Sequence, residues 1–250
     1  MKDPFKIMNK QLVLQALFLP CLIISITAHP QSIDKKFSTT RSVGMNYKLY
    51  LPPGYNTEIT SRFPLILFLH GSGERGNDLN LVNKNGIPRL INEGKDFPFI
   101  IISPQCPASE RSWDTKTLKL LLDGIIATCR VDTNRMYLTG LSMGGWGTWD
   151  MAFRYPGLFA AIAPVYGFFD YILSDEFKFT PVWVFHGAKD DVVPVDRAIS
   201  MFEAVRKEGG EIRITIYPEA NHDSWTETYN NPELYQWFLD HVKSSAPVYK

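Results

Sequence analysis

The sequence predicts one three-layer α/β domain: a mostly parallel sheet covered by helices on both faces. Three observations predict it. Four short runs, Phe63–Leu69, Phe97–Ser103, Leu158–Val165 and Pro181–Phe185, are apolar almost throughout. Strands buried on both faces read that way, because neither face meets water. Segments with apolar residues at helical spacing alternate with those runs, and such alternation builds a parallel sheet. A chain of 250 residues is long enough to bury one large core of this kind.

Residues 1 to 28 read as a targeting segment rather than as part of the fold. Lys2, Lys6 and Lys10 form a basic start, and Leu12 to Ile26 is an apolar run broken by Gln15, Pro20 and Ser25. The run is too short and too interrupted to span a membrane well. Ile26-Thr27-Ala28 supplies a small residue for cleavage after Ala28. This predicts export to the periplasm or the exterior, with no stable membrane insertion after cleavage, and a single domain over 29–250. A lipid anchor at Cys21 is the rival, but Phe18-Leu19-Pro20 is a poor match to the small residues such a signal carries.

The elements then follow in order. Met45 to Leu51 alternates and predicts a strand, closed by Pro52-Pro53-Gly54. Phe63–Leu69 ends in the glycine-rich loop His70-Gly71-Ser72-Gly73-Glu74-Arg75-Gly76. Ile87–Glu93 predicts a short helix, Phe97–Ser103 a strand, and Leu118–Cys129 a helix with Leu118, Leu121, Leu122 and Ile125 on one face. Met136–Thr139 is a strand and Trp146–Arg154 a helix. After the runs at Leu158–Val165 and Pro181–Phe185 come a helix over Val195–Lys207 and an alternating strand over Glu211–Tyr217. A last helix spans Pro232–Val242, opened by Asn231 and Pro232.

Composition narrows the function classes. Lys+Arg and Asp+Glu both number 26, so there is no basic field for nucleic acid and no acidic tail. The three cysteines match no zinc spacing, and Cys106 and Cys129 could pair or stay free thiols. With Trp 6 and Tyr 11, the aromatic content suits a large core and equally a groove for rings or sugars.

The chemistry centres on Gly140-Leu141-Ser142-Met143-Gly144, a Gly-x-Ser-x-Gly turn between a strand and a helix. In that context the motif is a nucleophile elbow, with the Ser142 hydroxyl held out at the end of the sheet. A serine hydroxyl is a weak nucleophile and needs a base, which needs an orienting group. Of five histidines, His29 lies by the leader, His70 and His186 each end a strand before a glycine, and His241 falls in the last helix, on its surface. His222 alone sits between the last strand and the last helix. The acid belongs after Pro181–Phe185, where Asp190 and Asp191 compete; Asp223 is too close along the chain to reach its neighbour's ring. Two backbone N–H groups would hold the oxyanion, from Met143 and from the Gly71-Ser72-Gly73 loop, with Ser72 the first choice.

Four stretches, His70 to Gly76, Gly140 to Asp150, His186 to Pro194 and Asn221 to Trp225, together resemble one group of bacterial α/β-hydrolases. These are esterases related to feruloyl and acetylxylan esterases, to polyhydroxybutyrate depolymerase-like enzymes and to dienelactone hydrolase. Some are described as predicted peptidases or prolyl-oligopeptidase-like. The resemblance runs from Tyr47 to the end of the chain. It implies an α/β-hydrolase fold, and its histidine-glycine-x-x-aspartate pattern places the acid at Asp190. The nucleophile here is serine, not the cysteine of dienelactone hydrolase itself, so that lactone substrate is not implied. The resemblance implies a serine ester hydrolase acting on feruloyl, acetyl or small aryl esters, polysaccharide-borne or soluble, without metal or organic cofactor. A serine peptidase is the alternative. A hydrolase homologue that only binds carbohydrate or protein is a third reading, disfavoured because every triad position is filled.

Two further expectations follow. Trp113 and Trp225 fall near the active-site end of the sheet, where either could stack on a sugar or phenolic ring; Trp146 reads as core. About fifteen residues join Val165 to Pro181, which is enough for one short helix and too few for a lid domain.

Overall fold

A computed structural model describes residues 32–38, 44–166 and 169–243. The leader read at 1 to 28, with Cys21, lies outside them. Among the described residues, eight strands form one sheet in the order β1-β2-β4-β3-β5-β6-β7-β8. They are β1 (Ser32–Ser38), β2 (Gly44–Tyr50), β3 (Phe63–Leu69), β4 (Ile100–Pro104), β5 (Val131–Leu141), β6 (Ala161–Val165), β7 (Val182–Gly187) and β8 (Ile212–Tyr217). β1 and β2 pair antiparallel at one edge; β4, β3, β5, β6, β7 and β8 run parallel. The mostly parallel α/β-hydrolase arrangement predicted from the sequence is the one observed.

The α-helices among the described residues are α1 (Gly86–Asn92), α2 (Thr115–Thr128), α3 (Met143–Arg154), α4 (Asp196–Lys207), α5 (Trp225–Asn230) and α6 (Pro232–Asp240). The strand period of two divides the core. Leu65, Leu67 and Leu69 of β3 face one cluster, with Leu118, Leu121 and Trp149 from α2 and α3. Ile66 and Phe68 face the other, with Leu234 and Phe238 from α6. Every residue of β3 is buried, and each such side chain contributes roughly 1.5–3 kcal/mol of apolar burial. Trp149 is wholly buried, whereas Trp146, read as core, is only half-buried.

Several boundaries moved: β5 spans Val131–Leu141, β6 begins at Ala161 and α2 at Thr115, and three others moved for local reasons. β4 begins at Ile100, not Phe97, because the Phe97 N–H is taken by the Tyr50 hydroxyl at 2.9 Å. α3 begins at Met143, directly after the elbow. α6 stops at Asp240, and His241 is not a surface residue of it: its ring meets the Trp237 carbonyl at 2.6 Å and Glu211 at 2.9 Å. Between β6 and β7 the described residues hold one short 3-10 helix, Tyr171–Phe177, which packs on α3 and α4. Cys106 and Cys129 are free thiols. No helix among the described residues is long and apolar enough to cross a membrane.

Candidate active site

The site forms where β3, β5, β6, β7 and β8 end, as expected for an open parallel sheet. Ser142 takes φ +53 and ψ −115, a conformation L-residues rarely adopt, at the break between β5 and α3. Two glycines permit the sharp turn. A Cβ on Gly140 would lie 2.4 Å from the Gly144 carbonyl oxygen, and one on Gly144 would lie 2.0 Å from the Leu69 carbonyl oxygen. Both clashes are against backbone, so no side chain could yield. The Ser142 N–H donates to the Val165 carbonyl at 2.9 Å, fixing the elbow to the end of β6.

Ser142, His222 and Asp190 form a continuous chain. The Ser142 Oγ lies 3.1 Å from His222 Nε2. His222 Nδ1 lies 2.9 Å from Asp190 Oδ2 and 3.1 Å from Oδ1. The Asp190 carboxylate is buried, with full partners. It accepts from the Val192 and Val193 N–H groups, both at 2.9 Å, and lies 3.3 Å from His186 Nε2. Burying a carboxylate without such donors would be very costly. Asp191 is exposed, and Asp223 accepts from the Thr226 N–H and hydroxyl at the start of α5. Of these three carboxylates, Asp190 is the one that meets the His222 ring.

The two histidines set aside from the sequence both have work in the site. Cys106 N–H donates to His70 Nε2 at 3.0 Å, so the His70 proton must lie on Nδ1, which donates to the Gly71 carbonyl at 2.6 Å. His70 thereby ties the loop after β3 to the end of β4. Burial lowers its pKa to about 4, helped by Arg75 and opposed by the Gly71 carbonyl. Burial likewise lowers that of His186, whose Nε2 also donates to the Val193 carbonyl at 2.8 Å and so braces the Asp190 loop.

The neutral His70 gives a pH prediction. The unfolded ring takes up a proton near pH 6.5, but the folded one does so only near 4. The unfolded state therefore binds more protons between those values. The stabilisation is complete above pH 6.5 and is lost as pH falls towards 4, about 3 kcal/mol in all. For a chain of this size the loss corresponds to a fall in melting temperature of roughly 6–12 °C. His70→Asn should flatten that part of the thermal-unfolding profile. An unchanged pH slope in the variant would show that other groups carry it.

The Gly71-Ser72-Gly73 loop lies against the elbow. A Cβ on Gly71 would meet Leu141 at 2.8 Å and the Ser142 Cβ at 3.5 Å. Ser72 opens a 3-10 turn there, Ser72–Glu74, and is exposed. Glu74 is buried beneath the loop, accepting a short bond from Asn85. Met143 is the first residue of α3, where the N–H has no partner within the helix. Gly71 of the loop and Met143 of α3 thus adjoin Ser142.

The tryptophans separate. Trp113 does not line the cleft. It is 4% exposed, its ring lies 4.7 Å from His70, and its Nε1 donates to the His70 carbonyl at 3.3 Å. The tight packing beneath the loop leaves no face for a ligand, so it is a support of the His70 backbone. Trp225 is half-buried at the start of α5 and meets the His222 ring edge-on at 5.5 Å. Sequence reasoning missed Tyr166 as well. It follows β6 at φ +57, and its ring lies 4.6 Å from His222. Its place after the strand next to the elbow strand was readable, but its backbone conformation was not.

Residues 113–238, half the chain, match the model of the dienelactone hydrolase family. The chain belongs to that family. The match takes in Ser142, Asp190 and His222. Among curated relatives, the chain is 25% identical to a bifunctional acetylxylan esterase/xylanase of Neocallimastix patriciarum over 163 residues. That stretch is 63% of this chain and 23% of the relative, so the chain spans under a quarter of that protein's length. It is also 25% identical over 201 residues to a protein of Aspergillus terreus named "Probable feruloyl esterase C", covering 76% of this chain and 72% of that one. A solved structure of a thermostable esterase superposes with a TM-score of 0.72 at 31% identity, over 84% of this chain and 63% of its own. Within the dienelactone hydrolase family, this chain carries serine at the elbow.

Proposed function

We propose that this protein is a serine hydrolase that cleaves carboxylic esters through a covalent acyl-enzyme. One observation carries the reading: the unbroken contact from Ser142 Oγ through His222 to the buried Asp190, at 3.1 and 2.9 Å. His222 Nε2 takes the hydroxyl proton as Ser142 Oγ attacks the ester carbonyl carbon. The carbonyl π pair moves onto oxygen, where the Met143 and Ser72 N–H groups stabilise it; one such donor contributes about 3 kcal/mol. The tetrahedral intermediate collapses, the ester C–O bond breaks, and His222 protonates the departing alcohol. Water then enters, gives a proton to His222, and releases the acid by the same steps. Asp190 holds the ring in the tautomer that leaves Nε2 free and stabilises the cation that forms.

The substrate class is a feruloyl, acetyl or small aryl ester, on a polysaccharide or in solution. The names of the two curated relatives support it, and so does the short β6–β7 connection, whose described residues hold one short 3-10 helix and no lid to be moved at a lipid surface. Trp225, beside His222, is placed to meet an aromatic or sugar ring. Export of the chain is proposed from residues 1 to 28 alone.

A release assay tests the reading across p-nitrophenyl acetate, methyl ferulate, acetylated xylan, long-chain acyl esters and peptide p-nitroanilides. Turnover of the acetyl or feruloyl esters is expected, with no jump in rate above the solubility limit of the substrate. Cleavage of the anilides alone would make the protein a peptidase. A preference for long acyl chains with an interfacial jump would make it a lipase.

A further inference from the structure

The Tyr166 side chain touches both flanks of His222. It is buried, and its hydroxyl donates to the Asn221 carbonyl at 2.5 Å while accepting a short bond from the Ser224 N–H. Asn221 and Ser224 bracket His222, so the hydroxyl closes the loop in which the histidine stands. We propose that Tyr166 is a positioning residue that holds His222 at the Ser142 hydroxyl. The inference rests on the ester-hydrolase reading of Ser142, His222 and Asp190.

The backbone of the same segment reaches the other partner. The Ser142 N–H donates to the Val165 carbonyl at 2.9 Å, and the Tyr166 N–H donates to the Phe185 carbonyl at 3.1 Å. Val165–Tyr166 therefore fixes the nucleophile through its main chain and the base through a phenol. The distance between Ser142 and His222 is set by one dipeptide at the end of β6. Tyr166 pays for that position with φ +57, where a residue bearing a Cβ is disfavoured. Such a conformation persists only when the surroundings over-determine it. Here the ring is enclosed by His186 at 4.9 Å, His222 at 4.6 Å and Trp225 at 5.6 Å. Burial raises the phenol pKa above its usual range, opposed by the bond from the Ser224 N–H, and the charges of Asp190 and Asp223 raise it further. The hydroxyl therefore keeps its proton and remains both donor and acceptor across the working pH range.

Tyr166→Phe keeps the ring and removes both loop bonds. With p-nitrophenyl acetate, kcat should fall roughly ten- to hundredfold, the scale that about 1 Å of misplacement produces. KM should stay within about twofold, because the ester itself does not bind to the hydroxyl. The acid limb of the pH–rate profile should also move, since the frame around His222 changes along with His186, Asp190 and Asp223. A folded Tyr166→Phe with wild-type kcat and pH profile overturns the proposal. So does a loss of the same size at every pH that only tracks a lower melting temperature, which would assign Tyr166 to stability alone.

If Tyr166→Phe does not fold, replacing the amide between Asp223 and Ser224 by an ester removes the same N–H and adds no atom against the phenol. The same kcat-selective loss is expected, and wild-type rates overturn the proposal. Ser142→Ala run alongside separates the two levels. Activity surviving in Ser142→Ala removes the hydrolase reading, whereas a wild-type Tyr166→Phe beside an inactive Ser142→Ala removes the Tyr166 inference alone.

Discussion

Ser142→Ala should lower kcat on a soluble aryl ester by about a million-fold and leave the fold intact. The size follows from losing the atom that forms the acyl bond; in a subtilisin-type triad the loss of serine alone costs about as much as the loss of all three residues. The fold should survive because the hydroxyl has one partner, His222, and a single neutral hydrogen bond contributes only about 1 kcal/mol net. The strained backbone at φ +53 remains with alanine, so the strain neither adds to nor offsets the change. Circular dichroism and the melting temperature should match wild type within a few degrees, and initial-rate assays should read only background. Near-normal turnover in pure Ser142→Ala would remove the serine from the mechanism.

Asp190→Asn should lower kcat by about ten-thousand-fold, and Asp191→Asn by less than twofold. The triad template sets the first figure, where the amide leaves the geometry in place but holds the histidine in the wrong tautomer. The surroundings here sharpen the effect. Asp190 receives only donors: the Val192 and Val193 N–H groups on Oδ1, with the rings of His222 and His186 on Oδ2. An asparagine NH2 on either side would face a donor and leave a buried group unsatisfied, costing about 1–3 kcal/mol of stability as well. Asp191 is exposed and touches none of these groups. Parallel kinetics and thermal scans of the two variants check both claims, and equal losses would mean that the loop presents the other carboxylate.

The sequence made the sheet readable because parallel strands are buried on both faces. Phe63–Leu69 spells its own boundaries. β1 was missed for the opposite reason. Residues Ile33 to Lys36 are all exposed, so no burial pattern marks them, and the strand exists through its pairing with β2. α5 was missed because six largely polar residues carry no period; the Asp223 side chain and the Ser224 carbonyl start it locally. In the site, Ser142 and His222 could be named from local motif and chain order. The choice of Asp190 over Asp191 came from resemblance, because adjacent loop residues differ only in which way the turn faces them. Trp113 shows the limit. Its nearness to the site was legible, but its burial against His70 depends on where α2 and the loop after β3 meet, which no local pattern encodes.

The nucleophile is tested most directly by intact-protein mass spectrometry after treatment with a fluorophosphonate, followed by peptide mapping. The account predicts one adduct per chain, on Ser142, formed in step with loss of esterase activity. It predicts no adduct in Ser142→Ala and slow formation in Asp190→Asn. Esterase activity that survives full exposure, or an adduct that inactivates the protein from any other residue, would contradict it.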